Sequence, residues 1–391
     1  MINDPRSGNV PNLSFRPPAT MPRPGGRSAI KIIVGIIAAL IALLLGLLVL
    51  LLIGVETGPV ALLIGLVSAT LPVPVYLVLV LWIDRYEAEP YWMLATAFFW
   101  GALVAVFFAF VLNTAGVVAV ALLTDDARAA NTFGAVISAP IVEETAKALI
   151  LFIFFFWKKD EFDGVIDGIV YAAMVGLGFA MTENIQYYGK AVMQAGSEGL
   201  TLVLILRGAV SPFAHPMFTS LTGIGLGLAR QSRNGVVKFI APVFGLLAAI
   251  SMHAIWNGSA VIFGGVGFIL MYLLFMVPAF FIMFVVIALA LRREGQIVRE
   301  FLIADFHGGL LTQEEYNQLG TLRGRTGASF NALSRGGFRS WQAARQLNQT
   351  ASELAFHRSR VARGISSADA REREAAYRQA LEDLLKRLRS A

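Results

Sequence analysis

The chain of 391 residues contains no cysteine. That excludes disulfides, a thiol nucleophile, and cysteine-ligated zinc or iron–sulfur centres. Charge is scarce: 15% of the residues are Asp, Glu, Lys or Arg, against about 25% in soluble domains. Histidine is scarce as well, with 4 residues, and the His-Glu-x-x-His pattern of soluble zinc proteases is absent. What abounds is apolar: 57% of the chain is hydrophobic. Such a composition excludes an ordinary cytosolic enzyme, a disordered chain and a nucleic-acid-binding module. It predicts an all-α fold, a polytopic membrane helix bundle.

The formal net charge is +6, from 32 basic and 26 acidic residues, and its distribution is uneven. Residues 292–391 hold 17 basic and 11 acidic side chains, a difference of +6, so the preceding 291 residues hold 15 of each and are balanced. A basic tail beside a membrane suits anionic lipid headgroups. By itself it does not point to nucleic acid, and no nucleic-acid partner is expected.

Residues 1–30 carry Pro5, Pro11, Pro17, Pro18, Pro22 and Pro24 without an apolar period. They read as a disordered leader, too polar for a signal peptide. Apolar runs then follow at about 31–54, 58–83, 92–123, 133–157, 165–188, 200–229, 237–258 and 262–291, each long enough for a bilayer core needing roughly 20 helical residues. The expectation is about eight transmembrane helices over 31–291, followed by a helical tail over 292–391. Pro72 and Pro74, Pro140, and Pro212 and Pro216 should break or kink their spans. Lys158 and Lys159, Arg230, Arg233 and Lys238, and Arg292 and Arg293 lie on the side of the leader's arginines, whereas the opposite loops hold only Arg128 and Lys190. By the excess of positive charge on the inner side, both termini are expected in the cytoplasm. In the tail, Thr312 and Glu315 form a capping-box pattern, Ser334–Ser340 reads as a linker, and 366–389 has leucines at helical spacing.

Ionisable residues inside spans cost roughly 2.5–3.5 kcal/mol each on insertion scales, so they mark function by default. The fourth span has Glu143-Glu144-Thr145-Ala146-Lys147. Glu143 and Lys147, spaced i,i+4, are expected to pair, leaving Glu144, rotated by about 100°, to face a cavity. The fifth span has Glu183 and Asn184, with Tyr187 one turn on from the carboxylate. Asp163 and Asp167, at its inner end, read as an N-cap and a first-turn acid. The sixth span has Arg207, expected in an ion pair, and His215 between two prolines. The seventh has His253 and Asn257 on one face, a pair that could hold an oxyanion. Glu143, Glu144 and Glu183 against Lys147 and Arg207 leave one negative charge, to be met by a proton, an imidazolium or a bound cation.

Glu143-Glu144-x-x-Lys147, Phe179-x-x-x-Glu183-Asn184, His215 and His253-x-x-x-Asn257 together resemble the PrsW family of intramembrane proteases. The loop Asp84-Arg85-Tyr86-Glu87-Ala88-Glu89-Pro90 resembles that family's acidic loop, with Ala88 where proline is usual, and Asp163-Gly164-Val165-Ile166-Asp167-Gly168 resembles the start of its next conserved helix. The likeness covers about residues 58–258 and extends to type II CAAX prenyl endopeptidases and Abi-like proteins, which have a histidine where this chain has Glu183. It implies an integral protein of the bacterial plasma membrane that cleaves a membrane-anchored protein near the extracytoplasmic side, an anti-sigma factor among such substrates.

Two mechanisms are open on these residues. In one, Glu143 or Glu144 activates water, His253 and Asn257 hold the oxyanion, and His215 positions water or protonates the leaving amine, with Lys147 and Glu183 supporting. In the other, His215, His253 and a carboxylate such as Glu144 bind zinc, which lowers the pKa of its water to about 7. A transporter or a non-catalytic scaffold would also bury such charges.

Overall fold

In the computed structural model, residues 29–364 and 369–389 are described. The expected leader at 1–30 lies almost wholly outside the described residues. Among them the regular structure is all helical, as composition and apolar periodicity require.

Helix α1 (Ala29–Thr57) leads to α2 (Pro59–Thr70) and α3 (Val73–Ile83), which are separated where Pro72 offers no N–H to continue the ladder. Next come α4 (Tyr91–Phe99), a π-helical turn at Trp100–Ala105, and α5 (Val106–Thr124). Helix α6 (Ala127–Phe133), N-capped by Asp126, passes through a π-helical turn at Gly134–Ser138 into α7 (Ala139–Trp157). Helix α8 (Val165–Val203) passes through a turn at Leu204–Val210 to α9 (Ala214–Gln231). Helix α10 (Gly235–Met271) passes through a turn at Tyr272–Met276 to α11 (Val277–His307). Three of these π-helical turns end two residues before a proline: Pro140, Pro212 and Pro278. A proline ring clashes with the carbonyl one turn back, and a wider turn relieves that clash. Pro140 and Pro278 therefore sit at helix entrances, and Pro212 lies in the short break before α9, whereas Pro242 lies within α10.

Five helical stretches are long and apolar enough to cross a membrane: Ile32–Thr57, Pro59–Ile83, Tyr91–Thr124, Val165–Gln231 and Gly235–His307. The expected eight separate spans are not reproduced as eight separate helices. Breaks at Ala195–Gly196 and at Gly264 interrupt the two longest stretches, the glycines taking φ of 58° and 64° that other residues resist. Helix α7, the expected fourth span, falls outside this set by composition, because it carries Glu143, Glu144 and Lys147. Leucine, isoleucine, valine and phenylalanine cover the outer surfaces of α1, α10 and α11, an arrangement that belongs in lipid. The protein is an integral membrane protein.

The chain divides into two compact units, one of Ile32–Glu294 and one containing Gly295–Ala391. In the first, α8 is central: every residue from Ile166 to Ala180 is buried, and the helix packs against α9, α2 and α4. Glycines allow that packing. A methyl on Gly168 would lie 2.1 Å from the Gly223 carbonyl oxygen of α9, a separation only small residues permit between helices in lipid. Asp167 closes the entrance of α8, accepting the backbone N–H of Asp163 at 2.8 Å and of Gly164 at 2.7 Å. The N-cap is Gly164 rather than Asp163.

In the second unit, the end of α11 is followed by α12 (Gln313–Leu319), α13 (Leu322–Ala362) and α14 (Ala370–Arg389). Thr312 and Glu315 form the capping box of α12. Ser334–Ser340, expected as a linker, is helical and broken only at Gly337 (φ 68°). Leu381, Leu384 and Leu385 form the buried stripe of α14.

Candidate active site

Helix α7 begins beyond its wide turn and presents Glu143, Glu144 and Lys147 to α8, α9 and α10. In-plane spacing along one helix allows Lys147 to reach either carboxylate, and neighbouring helices decide between them. The Lys147 ammonium donates to Glu144 Oε1 at 2.7 Å and lies 3.7 Å from Glu143 Oε2. The expected Glu143–Lys147 ion pair is present, but the closer partner of the ammonium is Glu144, which is the more tightly held carboxylate. Glu144 also accepts from Thr219 Oγ1 at 2.9 Å and from His253 Nδ1 at 3.0 Å. Both Glu144 and Lys147 are fully buried. The Phe179 ring lies 4.0 Å from the ammonium and adds a cation–π contact.

Donor rules fix both histidine tautomers. Lys147 Nζ is 3.0 Å from His215 Nδ1. An ammonium only donates, so Nδ1 accepts and the ring proton is on Nε2, which donates to Glu183 Oε2 at 2.9 Å. Glu183 also receives Arg207, whose Nε donates to Asn184 Oδ1 at 2.5 Å and whose guanidinium lies 3.9 Å from the Tyr187 ring centroid. Tyr187, expected to bond Glu183, instead stacks on that arginine. On α10, His253 gives its Nδ1 proton to Glu144, and in the neutral ring its Nε2 keeps a lone pair. That atom is 3.9 Å from Glu143 Oε2, a buried oxygen without a hydrogen-bond partner. The Phe218 ring stacks on His253 with centroids 5.1 Å apart and fixes its plane.

Glu143 is held from its other side. Its Oε1 accepts from Asn113 Nδ2 on α5 at 3.4 Å, and Ser138 Oγ donates to Asn113 Oδ1 at 2.9 Å, which orients the amide. Asn257 is not brought into the cluster: its amide donates to the Ala135 carbonyl at 2.9 Å, tying α10 to the turn before α7. An oxyanion role shared with His253 therefore has no geometric basis.

Glu143, Glu144, Lys147, Glu183, His215 and His253 are thus one connected group from four helices. Sequence reasoning passed over Thr219 and Asn113. Thr219 is one turn beyond His215 on α9, and that spacing could have disclosed it. Asn113 is a lone amide within an apolar helix, which is also a signal in lipid.

Glu143, His215 and His253 could hold a metal ion, with one ligand atom from each lying within 4.8 Å of the others. The unpartnered Glu143 Oε2 and the free lone pair of His253 Nε2 fit such an ion, and Glu144 behind His253 is the carboxylate that commonly orients a metal-bound imidazole. His215 can join only by exchanging a present partner, Lys147 or Glu183. The carboxylate of the set is Glu143, where the sequence had pointed to Glu144, whose oxygens are committed elsewhere.

Residues 89–283 match the model of the PrsW family intramembrane metalloprotease. The chain is 35% identical over 150 residues to Protease PrsW of Geobacillus kaustophilus, covering 38% of this chain and 58% of that protein. It is 27% identical over 195 residues to Protease PrsW of Oceanobacillus iheyensis, covering 50% and 82%. Against Protease PrsW of Bacillus subtilis it is 30% identical over 155 residues, covering 39% and 62%. No solved structure matches. The matched residues include every helix that contributes to the buried group, and the chain belongs to the PrsW family.

Proposed function

We propose that the protein is an intramembrane endopeptidase that hydrolyses a peptide bond of a membrane-anchored protein. One observation carries this reading: the unpartnered Oε2 of Glu143 lies 3.9 Å from Nε2 of His253, deep in a lipid-embedded bundle. In the proposed reaction a water molecule enters beside these two groups and donates to Glu143 Oε2 and to the neutral ring of His253. Glu143 takes a proton as the water oxygen attacks the scissile carbonyl. The Lys147 ammonium, 3.7 Å from Glu143 Oε2, is the nearest cation to the developing oxyanion. The C–N bond then breaks and the proton held by Glu143 passes to the leaving nitrogen. Glu144 and Glu183 hold the histidines in place rather than meeting substrate.

If zinc is the resident ion, Glu143, His253 and His215 hold it, and it supplies a Lewis acid and a water of pKa about 7. The role of Glu144 as orienter of His253 is the same in either case.

The substrate class, single-span proteins cut near the extracytoplasmic face and including anti-sigma-factor-like proteins, follows from family resemblance. The bacterial plasma membrane follows from the same resemblance, and cytoplasmic termini follow from the basic loops. The transmembrane unit over 31–291 and the basic tail over 292–391 are proposed as separate functional domains.

The test is cleavage of single-span candidates by the full chain in nanodiscs, with products identified by mass spectrometry and zinc measured in the same sample. Glu143→Gln should insert normally and yield no product. Cleavage at the wild-type rate by both Glu143→Gln and His253→Ala would overturn the proposal.

A further inference from the structure

The second unit carries a feature that the polar cluster does not use. Residues 316–352 contain no Asp or Glu and 5 arginines: Arg323, Arg325, Arg335, Arg339 and Arg345. Acidic residues lie on both sides of this stretch, at Glu314, Glu315 and Glu353. The structure explains how such a stretch holds its shape. Helix α13 turns at Gly337, whose φ of 68° is left-handed, and its two arms meet through one buried arginine. Arg325, 4% exposed, donates to the Asn348 carbonyl at 2.6 Å and also to Ser352 Oγ on the opposite arm. Asn348 Nδ2 returns a hydrogen bond to Ser329 Oγ at 3.3 Å. The arms are thus fixed, and residues 330–339 project as the tip of a helical hairpin.

That tip is exposed and apolar at several positions. Phe330 is 64% exposed, Phe338 62% and Leu333 38%. Phe338 stacks on Trp341 with centroids 5.3 Å apart, and the Arg345 guanidinium lies 4.9 Å from the Trp341 ring centroid. Arg335 and Arg339, also exposed, flank the phenylalanine. Two phenylalanines and a leucine exposed on one hairpin tip are the kind of apolar surface that marks an interaction site. Aromatic and leucine side chains among arginines, in a stretch without Asp or Glu, are the composition of an interfacial element that enters the headgroup region.

We propose that this hairpin tip docks on the surface of an anionic phospholipid bilayer, with Phe330, Leu333 and Phe338 entering the headgroup boundary and Arg335 and Arg339 engaging lipid phosphates. The occupant is fixed by charge complementarity, since Arg323, Arg335, Arg339 and Arg345 are exposed on a stretch without Asp or Glu and favour an anionic surface. It is also fixed by tethering, since the same chain crosses a bilayer and keeps membrane at high local concentration. The inference rests on none of the chemistry assigned to the buried cluster.

The absence of native cysteine makes the test direct. The full chain carrying Ser334→Cys is labelled with an environment-sensitive fluorophore and reconstituted in phosphatidylcholine bilayers with and without phosphatidylglycerol. In the anionic bilayer the emission should shift to the blue and be quenched by spin-labelled lipid. Arg335→Glu/Arg339→Glu should return both signals to the level of the neutral bilayer, as should high salt in the parent. Phe330→Ser/Phe338→Ser should lose the quenching. All four positions are exposed, so folding is not the variable. Equal emission in the two bilayers, quenching that survives charge reversal, or disulfide-linked dimers of unlabelled Ser334→Cys would overturn the proposal, the last by assigning the tip to a second copy.

Discussion

Lys147 and His215 meet at 3.0 Å, ammonium to Nδ1. This contact sets the direction of every proton around it. His215 must donate through Nε2 to Glu183, Glu144 must accept from both Lys147 and His253, and the cluster's remaining imidazole nitrogen is Nε2 of His253, facing Glu143. A single buried amine thus joins two carboxylate–histidine pairs contributed by four helices.

Removing that amine should be costly. Lys147→Met leaves Glu144 buried beside an apolar chain, and breaking a buried pair on one side costs about 3–5 kcal/mol. Thermal unfolding in detergent should show the loss. Lys147→Met/Glu144→Gln should recover much of it, because no uncompensated charge remains.

The two adjacent carboxylates should behave differently. Glu144 has three hydrogen-bond donors, while Glu143 Oε2 has none. Glu143→Gln should therefore keep the melting temperature and lower the cleavage rate by about 10²–10⁴-fold. Glu144→Gln should lower both. Parallel rate and melting measurements on the pair separate these outcomes.

Asn257 offers a test between sequence and structure. If its amide serves only the Ala135 carbonyl, Asn257→Ala should cost about 1 kcal/mol of stability and leave the cleavage rate within a few-fold. Loss of an oxyanion donor would instead cost about 10²–10³ in kcat.

The loop after α3 should make stability depend on pH. Burial, with Asp167 nearby, raises the pKa of Asp84 from 3.8 to about 7, and Glu89 is pushed up chiefly by burial. A carboxyl that holds its proton more tightly when folded favours the folded state in acid. Its contribution falls as pH rises between the unfolded and folded values. The melting temperature should therefore decline from pH 4 towards 7. Asp84→Asn should flatten that decline and raise stability at neutral pH.

Helix crossing should tolerate no bulk at its narrowest point. Gly168→Val forces a side chain against the Gly223 carbonyl oxygen, 2.1 Å from where Cβ would lie. Overpacking of this kind costs about 1–3 kcal/mol, read as reduced yield of folded protein and a lower melting temperature.

Much of the fold was legible because its causes are local. Apolar runs, proline positions and the Thr312–Glu315 box each act within a few residues, and the helices follow them. The span count was less legible. A charged helix such as α7 looks unlike a lipid-facing one, and the breaks at Ala195–Gly196 and Gly264 are single points within otherwise continuous helical stretches. The linker expected at Ser334–Ser340 was misjudged because glycine and arginine content does not register the Arg325 clamp that holds the two arms as helix.

The sequence by itself determined that the protein is helical, lipid-embedded and supplied with acids, imidazoles and an amine in its interior. Apolar content and the cost of burying charge need no knowledge of neighbours to be read. Tertiary structure alone decided which carboxylate Lys147 takes, which histidine nitrogen stays open, and that Asn257 is spent on a helix turn. Those outcomes depend on what adjacent helices present within about 3 Å, the range over which a hydrogen bond exists at all.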